Sequence, residues 1–232
     1  MPSPEVHVLA TPAAVAEAAA ERIVAAVART TGPFTIALSG GSTPAVLYRL
    51  LVSKPIDWSR VHVFLGDERC VPPDDPASNY RMARETLLDH VPIPPANVHR
   101  IRGEDPPAVA AAAYERELRV TTARLDLVLL GMGDNGHTAS LFPGLAAVRE
   151  RERWVVAEYV AEVGMWRVTL TPPAINAAVA VVFLVAGQGK AEMLHRVLDG
   201  PRDPEALPAQ AIATARATWL VDAAAAAQLE RR

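Results

Sequence analysis

The sequence contains a single cysteine, Cys70, among its 232 residues. An intrachain disulfide needs two cysteines and a thiolate zinc site needs several, so the composition excludes both. Long hydrophobic runs are also lacking, since the longest, AAVAVVFLVAG at 177–187, falls far short of the ~20 residues that cross a bilayer. Positive charge is not in excess either. The 23 Lys and Arg face 26 Asp and Glu, which argues against a general nucleic-acid binder.

The composition is that of a globular protein, with 50% hydrophobic and 21% charged residues. The length suits one α/β domain, and we expect residues 1–232 to form it. The first twenty residues carry Glu5 and Glu17 and no basic segment, which is not the pattern of a signal peptide. We therefore expect a soluble, cytoplasmic protein, a monomer or small homo-oligomer, without nucleic-acid or membrane partners. A local positive site for an anionic small molecule remains compatible with this charge.

Short apolar runs alternate with helix-forming segments along the chain. The predicted strands are 34–39, 61–66, 125–131, 154–160, 166–171, 180–187 and 217–222; the predicted helices are 12–30, 45–53, 79–91, 106–122, 188–200, 223–232 and one starting at 172. This alternation indicates a Rossmann-like α/β fold, a mostly parallel sheet with helices on both faces. Ligands bind beyond the carboxyl ends of such strands, which makes the turns LSGGSTP, LGDERCVP and LGMGDNGHTASLFP candidate sites.

The turn LSGGSTP (38–44) has the chemistry of an anion site. Gly40 and Gly41 allow a ligand close to the backbone, Ser39, Ser42 and Thr43 offer hydroxyls, and a helix N-terminus follows. The turn therefore suits a phosphate or carboxylate. Two alternatives stay open: an ordinary capped turn, and a partial nucleophile elbow in which Ser39 attacks the substrate.

The turn LGDERCVP (65–72) places Asp67 and Arg69 just past a predicted strand. A guanidinium can bind an anion through two parallel hydrogen bonds, or it can pair with its own acidic neighbours. The alternative is a solvated turn without a ligand.

The turn GMGDNGH (131–137) supports two functional interpretations. It fits the dinucleotide pattern G-x-G-x-x-G, with Glu158 at the distance of a ribose-binding acid, although Pro143 and Gly144 interrupt the helix that should follow. Alternatively, His137 is a general base, because histidine titrates near neutrality, and backbone N–H groups of the loop hold an oxyanion. A plain turn with a solvated histidine is the third interpretation.

Together, five segments resemble the 6-phosphogluconolactonase family: LSGGSTP, GDERCVP with SNYRMARETLL, GMGDNGHTASLFPG, RVTLTPPAIN and FLVAGQGKAE, in that order over residues 34–192. The resemblance implies the fold of the sugar-phosphate isomerase, deaminase and CoA-transferase group. It also implies hydrolysis of 6-phospho-D-glucono-1,5-lactone in the pentose phosphate pathway, without cofactor or metal. By position, His137 is the general base, while the SGGST loop, Arg69 and Lys190 hold the phosphate or the lactone oxygens.

One position departs from the family pattern. The family usually has Asp-Gly-His, whereas this chain has Asn135 in place of the aspartate. Asn135 can orient His137 but carries no charge, so Asp134 is a second candidate orienter, and Asp134 or Asp67 could supply the charge. Related glucosamine-6-phosphate deaminases place a glutamate five residues after the histidine, where this chain has Phe142.

Hydrolysis requires only a base, a water and an oxyanion site, so it suits this chain better than deamination. The other functions to be weighed are a sugar-phosphate deaminase or isomerase, a non-catalytic sugar-phosphate sensor of the same fold, and an NAD(P)-dependent dehydrogenase.

Overall fold

A six-stranded parallel sheet runs through the centre of the computed structural model, which describes residues 4–212 and 217–230. The strands in chain order are β1 (Glu5–Leu9), β2 (Phe34–Leu38), β3 (Val61–Leu65), β4 (Asp67–Arg69), β5 (Leu127–Leu130), β6 (Val155–Val160), β7 (Met165–Leu170), β8 (Ala180–Val185) and β9 (Ala217–Asp222). The central sheet has the order β1-β9-β8-β5-β2-β3. Every residue of the inner strands β2 and β5 is buried, as their continuous apolar sequences predict.

Six α-helices surround the strands: α1 (Pro12–Arg29), α2 (Ser42–Leu51), α3 (Asn79–Thr86), α4 (Pro107–Thr121), α5 (Pro172–Ala177) and α6 (Ala191–Leu198). Thr11 caps α1 by accepting from the N–H of Ala14 at 3.2 Å, and Ser78 caps α3 by accepting from Arg81 at 3.0 Å. In contrast, α2 begins after Gly41 (φ 109°) without a side-chain cap. Its first-turn N–H groups are therefore not taken by a cap.

A second, antiparallel sheet of order β4-β7-β6 had no counterpart in the predicted topology. Strands β6 and β7 were predicted, but they form a hairpin that pairs with the three residues of β4. The register sets Arg69 opposite Arg167. Both sheets contribute to one hydrophobic core, in which Phe183 and Trp219 stack at 3.8 Å between ring centroids.

Several helix boundaries differ from the predicted ones. The predicted helix 79–91 ends at Thr86 and continues as a 3₁₀ turn over Leu88–His90, and α2 starts earlier than 45, at Ser42. The 188–200 segment is a 3₁₀ turn at Gln188–Lys190 followed by α6.

The predicted helix 223–232 is wrong, because residues 223–228 form turns; residues 231–232 lie outside the described part of the chain. The Asp222 carboxylate accepts from the N–H of Ala225 at 2.8 Å and from that of Gly187 at 3.0 Å, which fixes this segment to the sheet edge. Strand β1 was not predicted. Within the described residues, no helix combines the length and apolar character needed to cross a membrane.

Candidate active site

A cleft of about 510 Å³ lies where β2 and β5 of the central sheet end beside the antiparallel sheet. Its walls include these sequence-predicted residues: Ser39, Gly40, Gly41, Asp67, Arg69, Asp134, Asn135 and His137. The structure thus brings the three predicted turns together, as expected for parallel strands whose carboxyl ends share an edge. Ser42, Thr43 and Lys190 do not line the cleft.

The imidazole of His137 is held from three sides. The Asn135 Oδ1 accepts from the ring Nδ1 at 2.6 Å and from the backbone N–H of His137 at 3.1 Å. A Cβ at Gly133 would lie 2.0 Å from the ring Cε1, so only glycine leaves room for the ring there. On another side the ring stacks on Phe142, with centroids 4.1 Å apart. Because an amide oxygen only accepts, Nδ1 carries the proton and Nε2 keeps the lone pair of a base.

Burial lowers the pKa of His137 below its ordinary value, because the charged imidazolium loses hydration. Asp67 opposes this effect, Lys190 and Arg167 add to it, and Glu162 makes a small opposing contribution. The histidine is therefore neutral, and able to accept a proton, over a wider pH range than a solvated one.

Asp67 is buried and does not hydrogen-bond to His137. Its Oδ2 accepts from Ser140 Oγ at 2.6 Å, and its Oδ1 accepts from Asn79 Nδ2 at 3.2 Å. Asn79 packs directly on Gly40, where a Cβ would lie 2.1 Å from its Oδ1. Asp67 thus fixes the relative positions of the DER, SGGST and GHTAS segments and acts on His137 through its charge.

Two arginines face each other across the β4–β7 pair and line the cleft. Arg69 donates from Nη1 to the backbone oxygen of Ala77, but the Nε atoms of Arg69 and Arg167 are both buried without a partner among the described residues. Burial, together with the neighbouring Arg69, lowers the pKa of Arg167. Two guanidinium side chains that line one cleft offer positive charge and hydrogen-bond donors to an anionic oxygen.

Sequence reasoning missed Arg167, although its segment RVTLTPPAIN carried part of the family resemblance. Only the long-range pairing with β4 reveals that it lies beside Arg69.

Glu68, the acidic neighbour of Arg69, does not form an ion pair with the Arg69 guanidinium. Burial raises the pKa of Glu68, and its carboxylate accepts from the backbone N–H groups of Asn79 at 2.7 Å and Tyr80 at 2.8 Å, where α3 begins.

The SGGST loop is anchored at its start. The Ser39 N–H donates to the Tyr48 Oη at 2.9 Å, and that hydroxyl donates to the Ser39 carbonyl at 2.7 Å. The Ser39 Oγ donates to the Gly40 carbonyl at 3.2 Å, and within the described part of the chain no histidine bonds to it. A serine nucleophile would lack its base here.

The loop after β5 does not continue into the helix that a dinucleotide site requires. Thr138 and Leu141 form a bridge, Ala139 has a left-handed φ of 47°, and the next helical turn is a 3₁₀ turn at Ala146–Arg149. Glu158 accepts from the N–H of Ala147 at 2.7 Å and does not line the cleft. The geometry therefore argues against the dinucleotide interpretation. Across residues 4–212 and 217–230, no cluster of three or more His, Cys, Asp or Glu side chains is placed to hold a metal ion.

Lys190 lies beside the cleft and not in it. It pairs with the exposed carboxylate of Asp134 on the glycine loop. Asp134, proposed from sequence as an orienter of His137, thus contacts Lys190 instead, and Lys190 lowers its pKa.

Comparison with known proteins gives the same family from sequence and from structure. The family model described as glucosamine-6-phosphate isomerases/6-phosphogluconolactonase matches residues 10–221. The chain is 46% identical over 207 residues to a 6-phosphogluconolactonase from Nostoc sp., covering 85% of each chain. It is 38% identical over 201 residues to the Haemophilus influenzae 6-phosphogluconolactonase, covering 83% of this chain and 86% of that protein.

Solved structures agree. The 6-phosphogluconolactonase of Trypanosoma cruzi superposes with a TM-score of 0.87 at 31% identity, covering 99% of this chain and 98% of that one. A monomeric glucosamine-6-phosphate deaminase superposes with a TM-score of 0.85 at 20% identity over 97% of this chain and 99% of that one, which shows the shared fold alone. The mostly parallel α/β architecture is thereby confirmed, and the chain belongs to the glucosamine-6-phosphate isomerase/6-phosphogluconolactonase family.

Proposed function

We propose that this chain is a hydrolase that opens 6-phospho-D-glucono-1,5-lactone to 6-phospho-D-gluconate, the second step of the oxidative pentose phosphate pathway. The observation that supports this best is the juxtaposition of the half-buried imidazole of His137, held by Asn135, with the side chains of Arg69 and Arg167 in one cleft. The relatives named 6-phosphogluconolactonase, at up to 46% identity, point to the same reaction.

The reaction needs one base. The Nε2 of His137 takes a proton from a water molecule while the water oxygen attacks the lactone carbonyl carbon. The resulting tetrahedral oxyanion accepts hydrogen bonds from the guanidinium groups of Arg69 and Arg167, whose side chains line the cleft. When the ring C–O bond breaks, the imidazolium returns its proton to the leaving ring oxygen. General-base assistance contributes roughly 10²–10⁴-fold and one oxyanion donor roughly 10²–10³-fold.

The phosphate occupies the other end of the cleft. Ser39, Gly40 and Gly41 line it there, and the uncapped N-terminus of α2 follows with Ser42 and Thr43. A helix N-terminus with free N–H groups favours a dianion. Lys190 reaches the same phosphate by exchanging its exposed partner Asp134 for the ligand. Asp67 contributes by fixing this loop to the segment that carries His137.

A deaminase or isomerase mechanism lacks its second carboxyl group here. Phe142 occupies the position of the deaminase glutamate, and its ring packs on His137. An apolar ring can neither donate nor accept the protons that ring opening and isomerisation require.

The test compares freshly prepared 6-phosphogluconolactone with unphosphorylated gluconolactone, after subtraction of spontaneous opening. We expect strong acceleration of the phosphorylated lactone and weak acceleration of the other. Binding of 6-phosphogluconate without any acceleration would instead identify a sugar-phosphate sensor. Saturable binding of NADPH would instead support the interpretation as an NAD(P)-dependent dehydrogenase.

A single hydrophobic core that includes residues from Val15 to Ala225 supports our proposal that residues 1–232 form one domain. The cytoplasmic location, the oligomeric state and the lack of nucleic-acid and membrane partners stay predictions.

A further inference from the structure

We propose that Glu162 is a positioning residue that acts on His137 through Asn135, so that a carboxylate, an amide and an imidazole form one hydrogen-bonded chain at the cleft. The inference rests on the function proposed above, in which His137 is the base. It assigns a role to the turn of the β6–β7 hairpin, which the family resemblance did not include. It also accounts for an asparagine where the family usually has aspartate.

The contacts fix the orientation of the amide. The Nδ2 of Asn135 donates to Glu162 Oε2 at 3.0 Å, and its Oδ1 accepts both from the His137 backbone N–H and from the ring Nδ1. A carboxylate cannot donate, and a backbone N–H cannot accept. Reversing the amide would break all three bonds, so the carboxylate on one side and the peptide on the other set the same orientation.

The amide orientation in turn sets the histidine tautomer. Because Oδ1 faces Nδ1, the ring proton sits on Nδ1 and the lone pair on Nε2. The contacts with Gly133 and Phe142 are apolar, so they do not distinguish the ring from its flipped form, in which Nδ1 changes places with a carbon. The bond to Asn135 makes that distinction.

The hairpin holds Glu162 over the glycine loop. Residues Ala161–Val163 form a 3₁₀ turn that Gly164 ends at φ 61°, and the Gly164 N–H donates to the Ala161 carbonyl at 3.1 Å. Glu162 and Val163 both line the cleft. The same hairpin carries Arg167, so one element supplies a proposed oxyanion donor and the carboxylate that accepts from Asn135.

Besides orienting the ring, the Glu162–Asn135–His137 hydrogen-bonded path stabilises the positive charge of the protonated imidazole. His137 is flanked by the negative Asp67 on β4 and Glu162 on the hairpin, and by the positive Arg167 on β7 and Lys190 before α6, itself paired with Asp134. Of these, only Glu162 connects to the ring through a continuous hydrogen-bonded path among the described residues. When the ring becomes an imidazolium, the Asn135 dipole and the carboxylate behind it stabilise the charge.

The first experiment follows the His137 ring by NMR titration of the unliganded protein, with its signal identified among the six histidines by its loss in His137→Gln. Glu162→Gln keeps the side-chain shape and removes the charge, so the pKa of His137 should fall. Glu152→Gln makes the same charge change at an exposed residue outside the cleft and should leave it unmoved. An unchanged pKa in Glu162→Gln would overturn the proposal.

The second experiment measures kcat and KM against pH. Glu162→Gln should lower the kcat plateau about tenfold and move its acidic limb to lower pH, with KM nearly unchanged. A purely structural loss would lower the plateau without moving the limb. In Asn135→Asp the carboxylate contacts Nδ1 directly, so adding Glu162→Gln should then cost less than about twofold. A full tenfold loss in that background would contradict the coupling.

Failure of this proposal and failure of the proposed function are separable. If the wild-type protein does not open the lactone, the proposed function is wrong, yet the titration still decides whether Glu162 acts on His137. If the wild-type protein opens the lactone and Glu162→Gln behaves like Glu152→Gln in every assay, the positioning role of Glu162 is wrong and the proposed function is supported.

Discussion

The imidazole of His137 lies against the phenyl ring of Phe142, with ring centroids 4.1 Å apart and 18° between the planes. This contact belongs to the burial that lowers the pKa of the base. It also replaces a carboxyl group by an apolar surface at a position where the related deaminases need an acid. One side chain therefore contributes to the lowered pKa of His137 and, under the proposed function, leaves no carboxyl group there for deamination.

Phe142→Leu should move the acidic limb of the kcat/KM profile to higher pH. The base works unprotonated, and activity is lost as pH falls through the pKa of His137. A smaller, non-planar side chain lets water reach the ring, so that pKa rises toward its ordinary value. The pH–rate profile measures this rise, and a limb that stays in place or moves to lower pH would contradict the assignment.

His137→Asn should reduce kcat by at least ~100-fold, because it removes the base while keeping a polar side chain of similar size. His90 lies in the 3₁₀ turn after α3, is exposed and does not line the cleft. His90→Asn is therefore the matched control and should retain activity. Initial rates with the phosphorylated lactone distinguish the two variants. A near-normal rate in His137→Asn would show that another group takes the proton.

Gly133→Ala should inactivate the enzyme without unfolding it. The new methyl would lie 2.0 Å from the His137 Cε1 and must push the ring out of place, and a displacement of about 1 Å can cost roughly 100-fold in rate. Gly131→Ala, two positions earlier in the loop, meets only Ser39 Oγ at 3.9 Å. Thermal unfolding should be similar for both variants, and the rate loss much larger for Gly133→Ala. Equal losses would mean that the loop, and not the ring, is what the methyl disturbs.

The three turns that meet in the cleft were predictable, because each follows a short, mostly apolar run of the kind that forms a buried strand. Ser39 and Asp67 lie just beyond the ends of β2 and β3, and His137 belongs to the glycine loop that follows β5, so their proximity follows from the sheet. Arg167 and Glu162 were not predictable in this way. They come from an antiparallel hairpin whose pairing with the three-residue β4 is long-range and too short to leave a periodic pattern.

Local propensity also failed at the end of the chain. The run AAAAAQLERR is strongly helix-forming in isolation, but the Asp222 carboxylate takes the Ala225 N–H and also binds Gly187, so turns replace the helix. Strand β1 escaped prediction because its partner β9 is at the other end of the chain.

Arg167→Gln should lower kcat roughly 100-fold for both the phosphorylated and the plain lactone, since the oxyanion forms on either substrate. Lys190→Ala should instead raise KM for the phosphorylated lactone and leave the plain lactone unaffected. Because only one of the two substrates carries a phosphate, comparing their rates distinguishes contacts with the lactone carbonyl from contacts with the phosphate. A loss in Arg167→Gln confined to the phosphorylated lactone would place the phosphate, and not the carbonyl oxygen, at the arginine pair.

Ala139→Gly should not destabilise the protein, although glycine usually weakens a loop. Ala139 adopts φ 47°, a left-handed conformation that costs a residue with a Cβ roughly 1–2 kcal/mol. Glycine avoids that strain and loses roughly 0.5–1 kcal/mol through its freer unfolded state, so a net gain of roughly 0–1.5 kcal/mol remains.

For a chain of this length, each 1 kcal/mol of gain raises Tm by roughly 2–4 °C. The flanking anchors, from Thr138 to Gly131 and from Ser140 to Asp67, stay in place, so the cleft should keep its shape. Ala139→Val is the opposing variant, because a β-branched side chain is worst in this conformation and should lower Tm. If glycine lowers Tm and valine does not, the left-handed turn at the cleft carries no strain. The position of Ala139 would then be set by packing alone.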